Sequence, residues 1–239
     1  MRFLCFLAII FAVSCNKTPE TKPIVIVDDK PIVVTRDNVD FSGELGQKIT
    51  LWATWYNAPD LKHDPSGIPL RDKKSNPLGA KLSQKDWCTC AIEGTCFING
   101  QTYNYAGTTK SHRVMCNLRG LGAVDYTKFM KSPFKYGKGN KMNPLAPFKS
   151  IACDQGNIRA SKRWLNGGYM KFGQRIYIPA AKGKMMPNGI VHDGFFQCDD
   201  VGGAIYGNHI DIFIGRETKS PFDFIKSNKN GTFTAYLVK

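Results

Sequence analysis

Acidic residues are scarce in this sequence of 239 residues: nineteen Asp and Glu stand against thirty-three Lys and Arg, giving a formal net charge of +14. An excess of one sign that large favours an anionic surface or ligand. It does not point to nucleic acid, because the lysines from Lys128 to Lys149 and near the C-terminus lack the interleaved aromatics of a nucleic-acid stripe. Histidine is rarer still, with four. His192-Asp193 and His209-x-Asp211 have no second His-x-His partner. Cys88-x-Cys90 with Cys96 is not the usual C-x2-C pair and has no histidine at a matching interval, so no metal and no cofactor are expected. No Ser/His/Asp or Cys/His arrangement supports a nucleophile mechanism. Long helical periodicity is also missing: only Ala123 to Met130 reads as a short helix.

Long apolar runs are absent too. The first, Phe3 to Val13, is shorter than the roughly 20 residues a bilayer-spanning helix needs. It follows a charged Arg2 and ends in Ala12-Val13-Ser14-Cys15, the pattern of a secretory signal over residues 1–14. The Ala-Val-Ser-Cys end resembles a bacterial lipobox, which implies lipidation of Cys15 and a membrane anchor. Asn16 rather than Asp after that cysteine suits an outer-membrane lipoprotein facing the periplasm. Residues 15–44 read as a tether, with linker composition followed by two similar apolar runs that each open on Lys-Pro. Eight cysteines fit the same compartment. With Cys5 in the signal and Cys15 lipidated, Cys88, Cys90, Cys96, Cys116, Cys153 and Cys198 remain as disulfide candidates, and six cysteines allow fifteen connectivities.

What the chain does have, from residue 45 to 239, is a series of short β-rich runs. Ile49 to Tyr56, Phe97-Ile98, Thr102 to Tyr105, Gln174 to Ile178, Gly207 to Ile214 and Thr232 to Val238 are separated by Gly, Asn and Pro turns. That is the signature of a mainly β barrel or sandwich. Residues 57–80 and 131–147, rich in Pro, Gly, Lys and Asn, read as long loops walling a groove.

Chemistry concentrates in Cys198-Asp-Asp-Val-Gly-Gly-Ala-Ile-Tyr-Gly-Asn-His-Ile-Asp-Ile-Phe213. Strand alternation turns Ile210, Ile212 and Ile214 to the core and sets His209, Asp211 and Phe213 on the opposite, open face. Asp200 precedes Gly202-Gly203, which permit a sharp turn and close approach of a ligand, and a strand–turn–strand path would bring Asp200 beside Asp211. Two nearby carboxylates push one pKa upward and make a proton donor at neutral pH, as glycosidic cleavage requires. The plainer reading is that each Asp makes turn or cap hydrogen bonds. Trp55, Trp87, Trp164 and Tyr206 are sugar-stacking candidates, although a single aromatic is more often core.

The run Asp-Val-Gly-Gly-Ala-Ile-x-Gly-Asn-His-Ile-Asp-Ile-Phe resembles the signature of the three-aspartate (3D) domain shared with MltA-type lytic transglycosylases. Ser150-Ile-Ala-Cys-Asp154 is similar to its first aspartate segment, Phe172 to Pro179 to a conserved strand, and Ala53-Thr-Trp-Tyr-Asn57 to its opening strand. The resemblance implies a double-psi β-barrel with long loop insertions, here at about 57–147. It implies cleavage of the MurNAc–GlcNAc bond of peptidoglycan to a 1,6-anhydromuramoyl end, on glycan strands and without metal. Asp211 would then be the catalytic acid and base, Asp200 its partner, and Asp154 the third family aspartate, more structural in role. Thr54, Tyr56, Gly202, Gly203, Asn208 and His209 would bind substrate, in a chain expected to be a monomer. Small residues usually stand where Cys153 and Cys198 do, which implies a disulfide between the strands presenting Asp154 and Asp200. An insertion from Arg159 to Lys171 and Gln174 in place of Thr depart from the pattern. A non-catalytic peptidoglycan-binding lipoprotein is the alternative.

Overall fold

The computed structural model describes residues 43–116, 123–155 and 170–239. The signal, Cys15, nearly all of the tether, and Trp164 and Tyr169 lie outside them. In chain order the elements are β1 (Leu45–Tyr56), β2 (Asp60–Leu61), β3 (Ile68–Arg71), β4 (Pro77–Leu82), α1 (Gln84–Glu93), β5 (Thr95–Ile98), β6 (Gln101–Thr108), β7 (Val114–Cys116), β8 (Ala123–Asp125) and β9 (Thr127–Lys131). Then follow β10 (Ser150–Ala152), β11 (Arg175–Tyr177), β12 (Phe195–Asp200), β13 (His209–Phe213) and β14 (Thr232–Val238).

Six of these close a barrel in the order β1-β13-β10-β12-β11-β14, so the chain is mainly β, as its pattern of short runs implies. β1 runs parallel to β13 and β10 parallel to β12, while the other four pairings are antiparallel. Alternation along each strand fills the interior. Ile49, Leu51 and Ala53 of β1 meet Ile151, Ile176, Phe196, Ile210, Ile212 and Ala235 there. The intervening residues, among them Trp52, Thr54, Tyr56, His209 and Asp211, therefore point outward.

Residues 57–80 are not the loop their Pro and Gly content suggests, since β2, β3 and the start of β4 lie there, whereas 131–147 holds no strand beyond the last residue of β9, as expected. β2, β5, β6 and β9 form a second sheet, flanked by the β3–β4 and β7–β8 ribbons and by α1. Leu70, Leu82, Trp87, Ile98, Val114 and Phe129 fill a core of its own. β2, β3, β7 and β8, of two to four residues, are too short to show alternation, whereas β5 and β6 fall on the runs Phe97-Ile98 and Thr102 to Tyr105 that the sequence marks. The segment expected to be helical, Ala123 to Met130, is instead β8 and β9. Thr127, Lys128 and Phe129 are buried there, and β9 pairs with β6 from Tyr103 to Thr108. The helix lies elsewhere. The Ser83 side chain accepts from the Asp86 amide and caps α1, and Gly94, in the left-handed region at φ 74°, ends it. The Ser83-x-x-Asp86 spacing is the signal for that start. Among the described residues, no helix is long and apolar enough to cross a membrane.

All six candidate cysteines are paired. Cys88–Cys116 ties α1 to β7, Cys90–Cys96 ties it to β5, and Cys153–Cys198 staples the end of β10 to β12. These sulfurs are spent as structural links, which removes the zinc alternative for the Cys88–Cys96 cluster. Cross-link entropy scales with the closed loop, and the sequence separations are 45 for Cys153–Cys198 and 6 for Cys90–Cys96. Replacing the first pair by alanine is expected to cost about 4 kcal/mol and the second about 2 kcal/mol. Urea unfolding of the two double variants checks this, and equal losses would contradict it.

Candidate active site

The site grows from one row of the barrel wall. Thr54 of β1 pairs in register with Asp211 of β13, and Asp211 pairs with Ala152 of β10. On its other side Ala152 pairs with Asp200 of β12. The two carboxylates are therefore not on adjacent strands, as a strand–turn–strand path would place them. β10 lies between, and only the methyl group of Ala152 separates them along the row.

Asp200 reaches the outer face because β12 carries a bulge. Ile151 pairs with Cys198, but the next residue, Ala152, pairs with Asp200, leaving Asp199 as the extra residue. Strict alternation would send Asp200 inward behind the inward-facing Cys198. The bulge instead puts two consecutive aspartates on one side, a common use of bulges beside functional sites. Asp199 is buried and structural: it accepts from Ser150 Oγ at 2.6 Å, Gln197 Nε2 at 2.7 Å and Asn143 Nδ2. Asp200 accepts from Tyr56 OH at 3.1 Å on Oδ2 and from the Val201 amide at 2.9 Å on Oδ1.

Burial pushes the Asp200 carboxyl up from its ordinary value to about 6. Neighbouring Asp199 adds to the rise, while the Val201 amide, the Tyr56 hydroxyl and Lys138 oppose it. The Tyr56 phenol is held well above its usual value by burial and then by Asp200 and Asp211, so it remains a donor.

Asp211 Oδ1 accepts from the Thr54 hydroxyl at 2.7 Å. The same hydroxyl oxygen lies 2.9 Å from His209 Nε2. Trp52 stacks on the His209 ring with centroids 3.5 Å apart and planes 6° from parallel. Burial lowers the His209 pKa to about 4, partly offset by a hydrogen bond to the Ala204 backbone, so the ring is neutral at neutral pH. Asp154 is buried and accepts the Gly207 amide at 2.8 Å. It thereby fastens the loop that leads into β13.

Several expected binding residues have other placements. Thr54 and Tyr56 hold the carboxylates. Phe213 is not on an open face: it is fully buried with Ala58, Phe97 and Leu145, where the chain from 57 to 147 returns over the barrel. Neither Gly202 nor Gly203 is in the left-handed region. The turn's positive φ is at Gly207, at 65°. A Cβ on Gly203 would meet nothing within 4 Å, whereas one on Gly202 would collide with Ile205. Asn208 donates to the Thr50 carbonyl at 3.4 Å. Trp87 is buried edge-on against Phe129, and Trp55 packs on the barrel core, so neither is a sugar platform. Tyr206 is 64% exposed. His192 is a core residue whose ring nitrogens meet the Phe148 carbonyl and the Gly194 amide. Among the described residues no group of three or more His, Cys, Asp or Glu is placed to hold a metal.

A groove of about 530 Å³ opens at Asp200, floored by Val201 to Gly203 and walled by Glu93, Tyr105, Lys138 and Lys141. Its lysines are a feature the sequence does not mark, because Lys138 and Lys141 look like any others in a basic loop. Asp199 and Trp52 also escape the motif reading. Only the bulge gives the one a role, and only the β1–β13 register the other.

The family model described as 3D domain matches residues 167–233, which include Asp200 and Asp211. No curated protein matches the chain. Among solved structures, the chain is similar to E. coli MltA with bound chitohexaose at 17% identity, over 80% of this chain and 71% of that one, with a TM-score of 0.52. That likeness carries the fold. A membrane-bound lytic murein transglycosylase from Agrobacterium tumefaciens is 13% identical over 79% and 73%, with a TM-score of 0.46. MltA from Neisseria gonorrhoeae is 13% identical over 80% and 73%, with a TM-score of 0.42.

The raised Asp200 carboxyl has a stability consequence. A carboxyl at about 6 in the fold and near 4 unfolded favours folding below pH 4, and that advantage is lost as pH rises through 6. Asp200→Asn removes the charge, so the variant should gain on wild type between pH 4 and 6, by at most about 3 kcal/mol at pH 7. His192 and His209, both lowered to about 4, make both proteins less stable toward acid and cancel in the difference. Chemical denaturation of the pair across pH 4 to 7 checks this; a pH-independent difference would contradict it.

Proposed function

We propose that this chain is a peptidoglycan lytic transglycosylase that cleaves the MurNAc–GlcNAc bond with Asp211 as acid and then base. The observation that carries the reading is the row Thr54–Asp211–Ala152–Asp200 on the outer barrel wall, with Tyr56 hydrogen-bonded to Asp200, beside a groove. The 3D-domain match over both aspartates supports it, as does the fold likeness to E. coli MltA, a protein solved with a glycan oligomer bound.

The chemistry follows from the donors. Asp211 gives its proton to the glycosidic oxygen, the C1–O bond breaks, and the GlcNAc-side strand leaves as an alcohol. The MurNAc 6-hydroxyl then attacks C1 from within the same sugar. Its proton passes to the Asp211 carboxylate, which restores the acid and leaves a 1,6-anhydro ring with no water consumed. Asp200 takes fixed donors on both of its oxygens. Ionised above about pH 6, it supplies negative charge near the oxocarbenium-like transition state. Lys138 and Lys141 suit the acidic stem peptides of the polymer. Three disulfides fit an exported protein. A lipid on Cys15 and a tether to residue 44 would set the barrel in the periplasm within reach of the wall.

Incubation with purified sacculi, followed by mass spectrometry of the soluble muropeptides, tests the reading. Wild type should release anhydro-ended products, Asp211→Asn should lose about 10²- to 10⁴-fold in rate, and Asp200→Asn should lose less. Binding to sacculi with no release would instead favour a wall-binding module.

A further inference from the structure

The groove at Asp200 does not end at its lysines. Ala106 and Lys138 line it on one side and, on their other side, line a second open hollow of about 630 Å³ over the second sheet. Phe129, Met130 and Met142 give this hollow its apolar surface. Lys73 and Lys74, from the turn between β3 and β4, add two cations to Lys138. The acid among its lining residues, Asp72, is committed to that same turn. Its Oδ1 accepts the Lys74 and Asn76 amides at 2.9 and 2.8 Å, and its Oδ2 accepts Asn76 Nδ2 at 3.2 Å. Among the described residues none of Lys73, Lys74 and Lys138 forms an ion pair.

Lys138 is fixed at the boundary of the two hollows. The buried Asn104 side chain clamps its main chain: Oδ1 accepts the Lys138 amide at 3.0 Å, and Nδ2 donates to its carbonyl at 3.3 Å. Both flanking residues are glycine because nothing larger fits. A Cβ on Gly137, at φ 85°, would lie 2.6 Å from Thr95 Cγ2, and one on Gly139 would overlap the Asp199 carbonyl. The strap 137–139 is thus wedged between the second sheet and the bulged strand β12, and Lys138 carries its only side chain. The charge of that side chain is felt at Asp200, where it lowers the carboxyl.

We propose that the hollow beyond Lys138 is a peptide subsite, which takes the acidic stem borne by the muramoyl sugar whose bond is cut. The identity of the polymer rests on the transglycosylase reading. The stem hangs from the lactyl group of that sugar, so it leaves the glycan beside the acid and needs a path out of the groove. It carries carboxylates among small alkyl side chains, the complement of three lysines around a methionine-lined surface. Asp200, ionised at neutral pH, repels such a chain from the groove floor, and the lysines attract it beyond. Ala106, the other shared residue, is small and leaves the passage open.

The test titrates the full chain, labelled with nitrogen-15, with the free tetrapeptide L-Ala-γ-D-Glu-meso-diaminopimelate-D-Ala and reads the backbone amide shifts. Shifts are expected at Lys74, Asn76, Ala106 and Met130, with binding that weakens as salt is raised. Lys73→Gln combined with Lys74→Gln should weaken binding about fivefold. Lys226→Gln combined with Lys229→Gln removes the same charge from exposed lysines that line neither hollow, and should leave binding as it was. On glycan, the first pair should lower the ratio of kcat/KM on stem-bearing strands to that on amidase-stripped strands, again about fivefold. Failure of the tetrapeptide to bind, shifts confined to the Asp200 groove, or equal losses in the two lysine pairs overturns the subsite. The titration needs no turnover. A wild type that binds the tetrapeptide at these amides yet leaves sacculi intact would defeat the transglycosylase reading and not this one.

Discussion

Everything in the site depends on Ala152 being small and on the two strands that pair with it. A single residue of β10 sets the spacing of Asp211 and Asp200, because each faces it across one strand gap. β strands lie about 4.8 Å apart, so the carboxylate-bearing residues are held roughly two gaps from each other. The spacing is thus a property of the hydrogen-bonded wall, and a rigid element positions such groups more accurately than a loop does. The bulge at Asp199 is the second half of the same constraint, since without it Asp200 would turn into the barrel.

The wall is reinforced where it departs from regularity. The Cys153–Cys198 bond joins the two strands at the bulge, and Cys198 fills the barrel interior directly behind it. Asp199 gathers donors from β10, β12 and the Asn140–Asn143 turn, so the irregular strand is hydrogen-bonded throughout. Buried carboxylates without such partners would be costly. The second sheet and α1, with two disulfides of their own, supply the opposite wall of the groove. The groove joins a stiff wall bearing Asp200 to a separately cross-linked wall, with Lys138 and Lys141 supplied by the chain between β9 and β10.

Of the barrel strands, β1, β11, β13 and β14 were legible because each is a β-branched or aromatic run with polar turns, while β10 and β12 show no such run; the aspartates were legible because they sit in a dense motif. Asp154, Asp200 and Asp211 carry the resemblance, and the structure gathers all three around the β10–β13 end of the wall. What the sequence hid has physical causes. α1 is short, and two of its buried positions are cysteines that weaken the apolar stripe, so only the Ser83 cap betrays it. β8 and β9 look helical because Ala123 to Met130 contains no Gly, Pro or Asn to mark a break, and the strands they pair with lie elsewhere in the chain. Phe213 alternates correctly with the isoleucines, yet alternation cannot tell an open face from one covered by residues as distant in the chain as Ala58 and Phe97. The bulge is invisible for the same reason: it is a relation between two strands, and neither strand alone records it.

The barrel's closing strands come from opposite ends of the folded chain. β1 is bonded to β13 on one edge and to β14 on the other, so the first strand finds both partners among the last two. Contacts this distant in sequence form late. The Thr54–Asp211 pair therefore forms only once β13 has been made and has docked on β1, so the site is incomplete in any shorter nascent chain and its wall stays unclosed until β14 is in place.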